Sequence, residues 1–268
     1  MTEEWVPAEV DIHRPSIARI YDYHLGGTHN FPADREAAAK VVASMPELPA
    51  VLRVNRDFLG RCVQFLADAG VRYFLDLGSG IPTNGNVHEI AQAVDPTARV
   101  VYVDNDPTAV GHARKILEGN DRTAVLNADL RDPKAILDDP EVQRLLLLDL
   151  GEPIAILMSA VLHFVPDDDE AGALVAAYRD AMPPGSFLAI SHAADTSENT
   201  ERIDTAVETY TRTVAPLKLR TRQQVADFLD GLEIVEPGVV PCELWRTDAP
   251  DGRTLPQICG VGRKPVEV

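Results

Sequence analysis

Residues 74–83 read Phe74-Leu75-Asp76-Leu77-Gly78-Ser79-Gly80-Ile81-Pro82-Thr83, an apolar strand running straight into a glycine turn. Glycine lacks a Cβ, so the backbone can turn sharply there and approach a ligand closely. A Gly-x-Gly turn alone is a weak signal, because dinucleotide-binding folds use it too. Two neighbours narrow the reading. Asp76 sits on the strand just before the turn, where a carboxylate suits a cationic aminoacyl group better than a pyrophosphate. Thr83 stands where a dinucleotide fingerprint has its third glycine. Together they favour a nucleoside ligand with an aminoacyl end.

Downstream, three more strand ends carry ligand chemistry. Arg99–Val103 closes on Asp104-Asn105, and a carboxylate there can accept both ribose hydroxyls in a bidentate contact. Asp104 could instead cap the next helix, although Asp106-Pro107 is the better cap. Ala124–Asn127 leads into Ala128-Asp129-Leu130-Arg131, where an acid or a backbone amide would meet an adenine edge. Ile154–Met158 leads into Ser159-Ala160, small residues that leave room for a reactive end. With Tyr73–Leu77 and Phe187–Ser191, these strands alternate with helices near 84–94, 107–118, 141–148 and 168–182. That alternation predicts βαβ units and a parallel sheet. Helices near 198–214 and 222–230 follow, then strand-like segments near 239–246 and 256–263 that fit a closing antiparallel hairpin. From Pro15 to Gly70 the apolar spacing is helical, punctuated by Gly26-Gly27, Pro46 and Pro49.

The order DLGSG, VDND, NADLR, ILMSAVLHF and PPGSFLAISH resembles the class I methyltransferases over residues 71–263. The segment 18–27 (ARIYDYHLGG), with Asn30-Phe31, Asp34-Arg35 and Asn55-Arg56, carries the likeness across nearly the whole chain. There it resembles an actinobacterial S-adenosylmethionine-dependent methyltransferase family once carried as a domain of unknown function. The resemblance implies an α/β, Rossmann-like class I methyltransferase fold: a seven-stranded, mostly parallel sheet with a C-terminal antiparallel hairpin and an N-terminal helical cap. A single domain is expected, with residues 1–70 as cap or lid and 71–268 as core. The implied activity is methyl transfer from S-adenosyl-L-methionine, released as S-adenosyl-L-homocysteine, to a small-molecule acceptor. By the same resemblance Gly78, Ser79 and Gly80 line the methionine moiety and Asp104 takes the ribose. Asn105, Asp129 and Leu130 flank adenine, and Ser159 and Ala160 lie beneath the cofactor. Pro82 departs from the pattern, in which many members carry a second glycine or a small residue, and leaves the contact at Thr83 open.

Something must cover the sulfonium and keep water from the methyl-transfer path. Residues 19–35 are the candidate lid, with Tyr21, Tyr23, His24, His29, a Gly-Gly hinge and Asn30-Phe31. Tyrosine faces can attract a sulfonium cation; the alternative is that Tyr21 and Tyr23 only pack helices. Arg56 can bind the cofactor carboxylate or an acidic substrate, or pair with Asp57, Asp22 or Asp34 on a solvated face. His163 and His192, just past the fourth and fifth strands, are the candidate proton acceptors, each with a purely structural reading beside it.

Bulk properties set the limits. The 268 residues are 45% hydrophobic and 25% charged, a composition that folds, and the net charge of −17 disfavours nucleic acid as a partner. Cys62, Cys242 and Cys259 are too scattered in sequence for a zinc site or a disulfide framework, and no metal is expected. The first residues show no signal-peptide pattern and no run reaches membrane-spanning length, so the expected compartment is the cytoplasm. Two other readings remain: a non-catalytic S-adenosylmethionine sensor, and an NAD(P)-dependent oxidoreductase, against which Asp76 and Thr83 count.

Overall fold

The computed structural model describes residues 10–82, 85–146, 151–195, 200–247 and 254–266. Its centre is a sheet of five parallel strands, β1 (Tyr73–Leu77), β2 (Arg99–Asp104), β3 (Thr123–Asn127), β4 (Ile154–Ser159) and β5 (Phe187–Ala193). Beyond β5 lie the short β6 (Glu233–Ile234) and β7 (Val240–Pro241) and the longer β8 (Gln257–Arg263). The spatial order is β3-β2-β1-β4-β5-β8-β6, with β7 also paired to β8. β8 runs antiparallel to β5, from Phe187 opposite Arg263 to Ala193 opposite Gln257.

The two-residue period of each strand divides its side chains between two helix layers. Tyr73, Leu75 and Leu77 of β1 join a core completed by α7 (Pro140–Leu146), α8 (Asp168–Ala181) and α10 (Arg222–Asp227), with α6 (Pro133–Leu137) beside them. Phe74 faces the other way, into a core shared with α3 (Leu48–Asp68), α4 (Val87–Val94) and α5 (Pro107–Ile116). Asp106 caps α5 by accepting from the Thr108 amide at 2.7 Å, with Pro107 at the first helical position. Helices α1 (Ile17–His24) and α2 (Pro32–Ser44) cover the strand ends together with α9 (Thr200–Thr213).

The cap is clasped by a buried ion pair. Arg19 on α1 and Asp34 on α2 meet at 2.8 Å, and the same guanidinium reaches Thr108 on α5 at 3.3 Å. The Gly26-Gly27 hinge is a turn wrapped on a carboxylate. Asp22 accepts from the amide of His29 at 2.8 Å and from Asn30 at 3.0 Å, and a Cβ on Gly27 would stand 1.9 Å from it.

Three expectations change in detail. The sheet has eight strands instead of seven, because β6 and β7 share the edge of β8, with Pro237 and Gly238 lying between them. The segment 239–246 is strand only at Val240–Pro241. It then turns through 3-10 geometry at Cys242–Leu244 so that Trp245 packs edge-on to Phe58 (5.3 Å) and Phe65 (5.8 Å). And α3, within the expected cap, packs with α4 and α5 against one face of the sheet. Its packing gathers Cys62, Cys242 and Cys259, distant in sequence, into one buried apolar cluster of free thiols, where burial pushes the Cys62 thiol up.

Candidate functional site

A cavity of about 620 Å³ opens at the carboxyl ends of the parallel strands. It lies where the strand order reverses: the chain runs outward from β1 to β3, then returns to the far side of β1 with β4. Gly78, Ser79 and Gly80 after β1, Asp104 and Asn105 at β2, Asp129 and Leu130 after β3, and Ser159 and Ala160 at β4 all line it. Tyr21 and Arg56 line it from the helices above.

The glycine turn is shaped by close contact. Gly78 has φ 71°, and a Cβ there would stand 2.5 Å from Cγ2 of Val161 in the loop after β4. Only glycine lets the two loops approach this closely. Asp104 braces the turn from below, its Oδ2 accepting from the Gly80 amide at 2.7 Å and its Oδ1 from the Asp106 amide at 2.8 Å. Each oxygen retains capacity for a further donor such as a ribose hydroxyl. Burial pushes the Asp104 carboxyl up to about 6, with the backbone donors working against it.

On the other wall Asp76 shares the α3-facing side of β1 with Phe74. Burial pushes its carboxyl up to about 7, opposed by Arg56 and aided by Asp104. The Arg56 guanidinium lies 5.9 Å from the Tyr21 ring centroid, and its Nε is buried without a hydrogen-bond partner. An unpaired buried donor beside a carboxyl balanced between its two forms costs free energy unless a ligand pairs with them. A zwitterionic aminoacyl group, ammonium toward Asp76 and carboxylate toward Arg56, matches both. At the opposite end the Asp129 carboxylate is held by Arg131 at 2.5 Å, and Leu130 is fixed through its carbonyl by the Tyr178 hydroxyl at 2.9 Å.

A second cavity of about 260 Å³ adjoins the first and shares Ile17, Tyr21, Ala160 and Phe164 with it. Ala160 is held at φ 54°, an uncommon geometry for a residue with a Cβ, by its amide donating to both oxygens of Ser191. Beside it Asn55 of α3 forms a hub. Its Nδ2 donates to the Tyr21 hydroxyl (3.0 Å) and to Ser159 (3.2 Å), and its Oδ1 accepts from Ser191 and from Gln257 (3.2 Å). One amide thus ties the cap to β4, β5 and β8.

Several expected site residues lie elsewhere. Tyr23 lines neither cavity and is 40% exposed, because it falls on the outer face of α1. His192 lines neither cavity. Its Nδ1 meets the Ala193 carbonyl at 2.7 Å and its Nε2 meets Arg220 at 3.0 Å. Burial pushes it down to about 4, so both ring nitrogens of a neutral imidazole are occupied and it has no site for an acceptor proton. His24 and His29 are also off both cavities; His29 packs on His112 of α5, ring centroids 3.8 Å apart. His163 does line the second cavity. The Ala193 amide donates to its Nδ1 at 3.4 Å, and burial together with His192 and Arg220 holds it well below the usual imidazole range. A backbone N–H can only donate, so the neutral ring carries its proton on Nε2 and presents a donor. Thr83 falls outside the described residues.

In the sequence Asn55 stands out only as part of the resemblance, with no role of its own. Asn55 stands on the same helical stripe as Val51, Phe58, Leu59 and Cys62, and an amide on an otherwise apolar stripe is the signal that it is bonded inside. Tyr210 of α9 lines the second cavity, whereas Arg220 is buried in bonds to the carbonyls of Leu162 and Val165. Among the described residues no group of histidine, cysteine or acidic side chains is placed to hold a metal ion, and no helix is long and apolar enough to cross a membrane.

Comparison with known proteins agrees with this geometry. The profile of the S-adenosyl methyltransferase family matches residues 3–265. A crystal structure from Thermobifida fusca YX, described as a candidate methyltransferase, is 40% identical, with 98% of this chain and 99% of that one aligned at a TM-score of 0.91. A DUF574 family protein from Streptomyces avermitilis MA-4680 is 41% identical over 95% of this chain and 99% of its own, with a TM-score of 0.90. The N-methyltransferase NodS from Bradyrhizobium japonicum WM9 shares the fold at 15% identity, over 82% of this chain and 99% of its own, with a TM-score of 0.51. No curated protein matches at a significant level. The chain belongs to the S-adenosyl methyltransferase family, which makes S-adenosyl-L-methionine its cofactor and methyl transfer its activity.

Proposed function

We propose that this methyltransferase acts on a small-molecule acceptor, held between the cap and the strand ends and not drawn from nucleic acid. The observation that carries this reading is the second cavity, about 260 Å³, which meets the larger one at Tyr21, Ala160 and Phe164. A chamber of that size beneath a helical cap suits a compact molecule better than a polymer, and a net charge of −17 repels polyanions.

In this account Asp76 and Arg56 hold the two ends of the aminoacyl group, Asp104 accepts the ribose hydroxyls, and Asn105, Asp129 and Leu130 border the adenine. Bound there, S-adenosyl-L-methionine would supply an electrophilic methyl group on its sulfonium, with S-adenosyl-L-homocysteine as the leaving group. The chain contributes alignment and exclusion of water. Tyr21 is fixed between Leu52 and Asn55, and Ser159 and Ala160 are fixed by Ser191, so the partition between the cavities has a set shape. His163 stays neutral and donates from Nε2, which orients an acceptor oxygen or nitrogen but does not deprotonate it.

Incubation with methyl-labelled cofactor and fractionated cell extract tests the proposal. S-adenosyl-L-homocysteine should accumulate with the small-molecule fraction. Labelling confined to the RNA, DNA or protein fraction contradicts it.

A further inference from the structure

The walls of the second cavity are mostly aliphatic and aromatic. Val41 and Met45 of α2, Leu48 and Val51 of α3, and Ala206 and Val207 of α9 supply aliphatic surface, and among the described residues no lysine or arginine lines it. The carboxylate on the wall is the half-buried Glu47. One side is aromatic: Phe164 and Tyr210 lie nearly parallel at 30° with centroids 5.9 Å apart, and the His163 ring is 4.3 Å from Phe164. Burial keeps the His163 ring neutral and the Tyr210 hydroxyl protonated. The Gln257 amide nitrogen donates to Asn55, and the Tyr21 hydroxyl accepts from it.

An anion brought into such a chamber would lose its hydration and meet the Glu47 carboxylate, with no cation among the described residues of the wall to offset that loss. A planar apolar molecule would exchange water for aromatic and aliphatic contact instead. At about 260 Å³ the chamber lies just below the range, roughly 300–1,000 Å³, that accepts drug-sized ligands. We propose that the methyl acceptor is an uncharged aromatic molecule of one or two rings, bearing its own hydroxyl or amine nucleophile and seated between α2, α3, α9 and the Phe164–Tyr210 wall. The assignment rests on the reading of the larger cavity as the cofactor site, since the nucleophile must face the partition at Tyr21 and Ala160.

A matched pair of probes tests it: 2-naphthol and 2-naphthoate, titrated calorimetrically at neutral pH into protein saturated with S-adenosyl-L-homocysteine. The two have similar ring systems and differ in charge. Naphthol should bind at least about tenfold more tightly than naphthoate. Val207 lines the second cavity and not the first. Val207→Trp, filling the chamber, should therefore abolish naphthol binding and leave S-adenosyl-L-homocysteine affinity unchanged. Should the tryptophan variant fail to fold, Val207→Lys decides: an ammonium on this half-buried position should reverse the preference toward naphthoate. Equal or tighter binding of naphthoate to the unaltered protein, or naphthol binding indifferent to both substitutions, overturns the proposal. Failure of S-adenosyl-L-homocysteine itself to bind overturns the cofactor-site reading beneath it.

Discussion

At neutral pH the Asp76 carboxyl stands between its charged and neutral forms, and this sets a pH dependence of definite sign. Its value in the folded chain, about 7, lies above the ordinary carboxylate value of 3.8, so between the two the native state binds more protons than the unfolded one. Its contribution therefore favours folding less and less as pH rises, a penalty on the order of 4 kcal/mol once pH exceeds 7. An ammonium group beside it reverses that penalty by preferring the ionised form. Affinity for S-adenosyl-L-homocysteine should therefore rise about tenfold from about pH 6 to about pH 8. Asp76→Asn should bind more weakly and flatten the slope, as calorimetry at several pH values would reveal; an unchanged slope removes Asp76 from the site. For His163 the expectation is an absence of titration: its Nδ1 is occupied by the Ala193 amide and the ring stays neutral, so kcat should show no inflection near the ordinary histidine value. His163→Gln, which keeps a donor, should retain more activity than His163→Ala. An inflection that disappears in His163→Gln would restore His163 as a base. The partner of Asp76 was legible in the sequence, but the histidine roles were not: the sequence places His163 and His192 alike at strand ends and cannot reveal which ring nitrogen a neighbouring backbone group has claimed.

The elements divide into those whose position is set by the sheet and those set by single polar contacts. Strands and the helices between them were legible because their apolar spacing has only one good burial; Tyr73–Leu77 agrees with expectation at both ends. The glycine turn was legible too, but its reason was not: Gly78 is required by Val161, 83 residues further on in sequence yet 2.5 Å from a Cβ at that position. Gly78→Ala should cost about 1–2 kcal/mol for its left-handed backbone alone, and more for the displaced Val161, lowering the melting temperature and cofactor affinity together. The cap depends on Arg19 and Asp34. Asp34→Ala leaves a buried guanidinium unpaired and should lower the unfolding free energy by about 3–5 kcal/mol in urea titrations. A change below about 1 kcal/mol, as for an exposed pair, would mean that the clasp is open to water. Likewise the short β6 and β7 and the turn to Trp245 escaped sequence reading, because two-residue strands carry no periodicity and the burial of one indole decides the path.

At the scale of the molecule, sheet order and helix layers follow from the alternation of strand and helix, and the reversal between β1 and β4 places the larger cavity. Which ligand fills that cavity was partly legible, through Asp76, the glycine turn and Asp104, because these residues are adjacent in sequence to the strands that carry them. The second cavity was not. Its walls come from α2 and α3, within the segment expected as a cap, and from α9 and the segment after it, and the spacing of these helices does not show which of their faces meet until the chain is folded. The acceptor thus depends on long-range packing, and the cofactor on local motifs. The central claim is that the cavity at the strand ends is the S-adenosyl-L-methionine site, with Asp104 on its ribose. Calorimetric titration of S-adenosyl-L-methionine into the unaltered protein and into Asp104→Asn tests it most directly. One-site binding should be weakened roughly 100-fold or more by the substitution, since two hydrogen bonds to a charged group at about 1.5–3 kcal/mol each are at stake. Binding indifferent to Asp104→Asn, or binding of NADH in place of S-adenosyl-L-methionine, would contradict it.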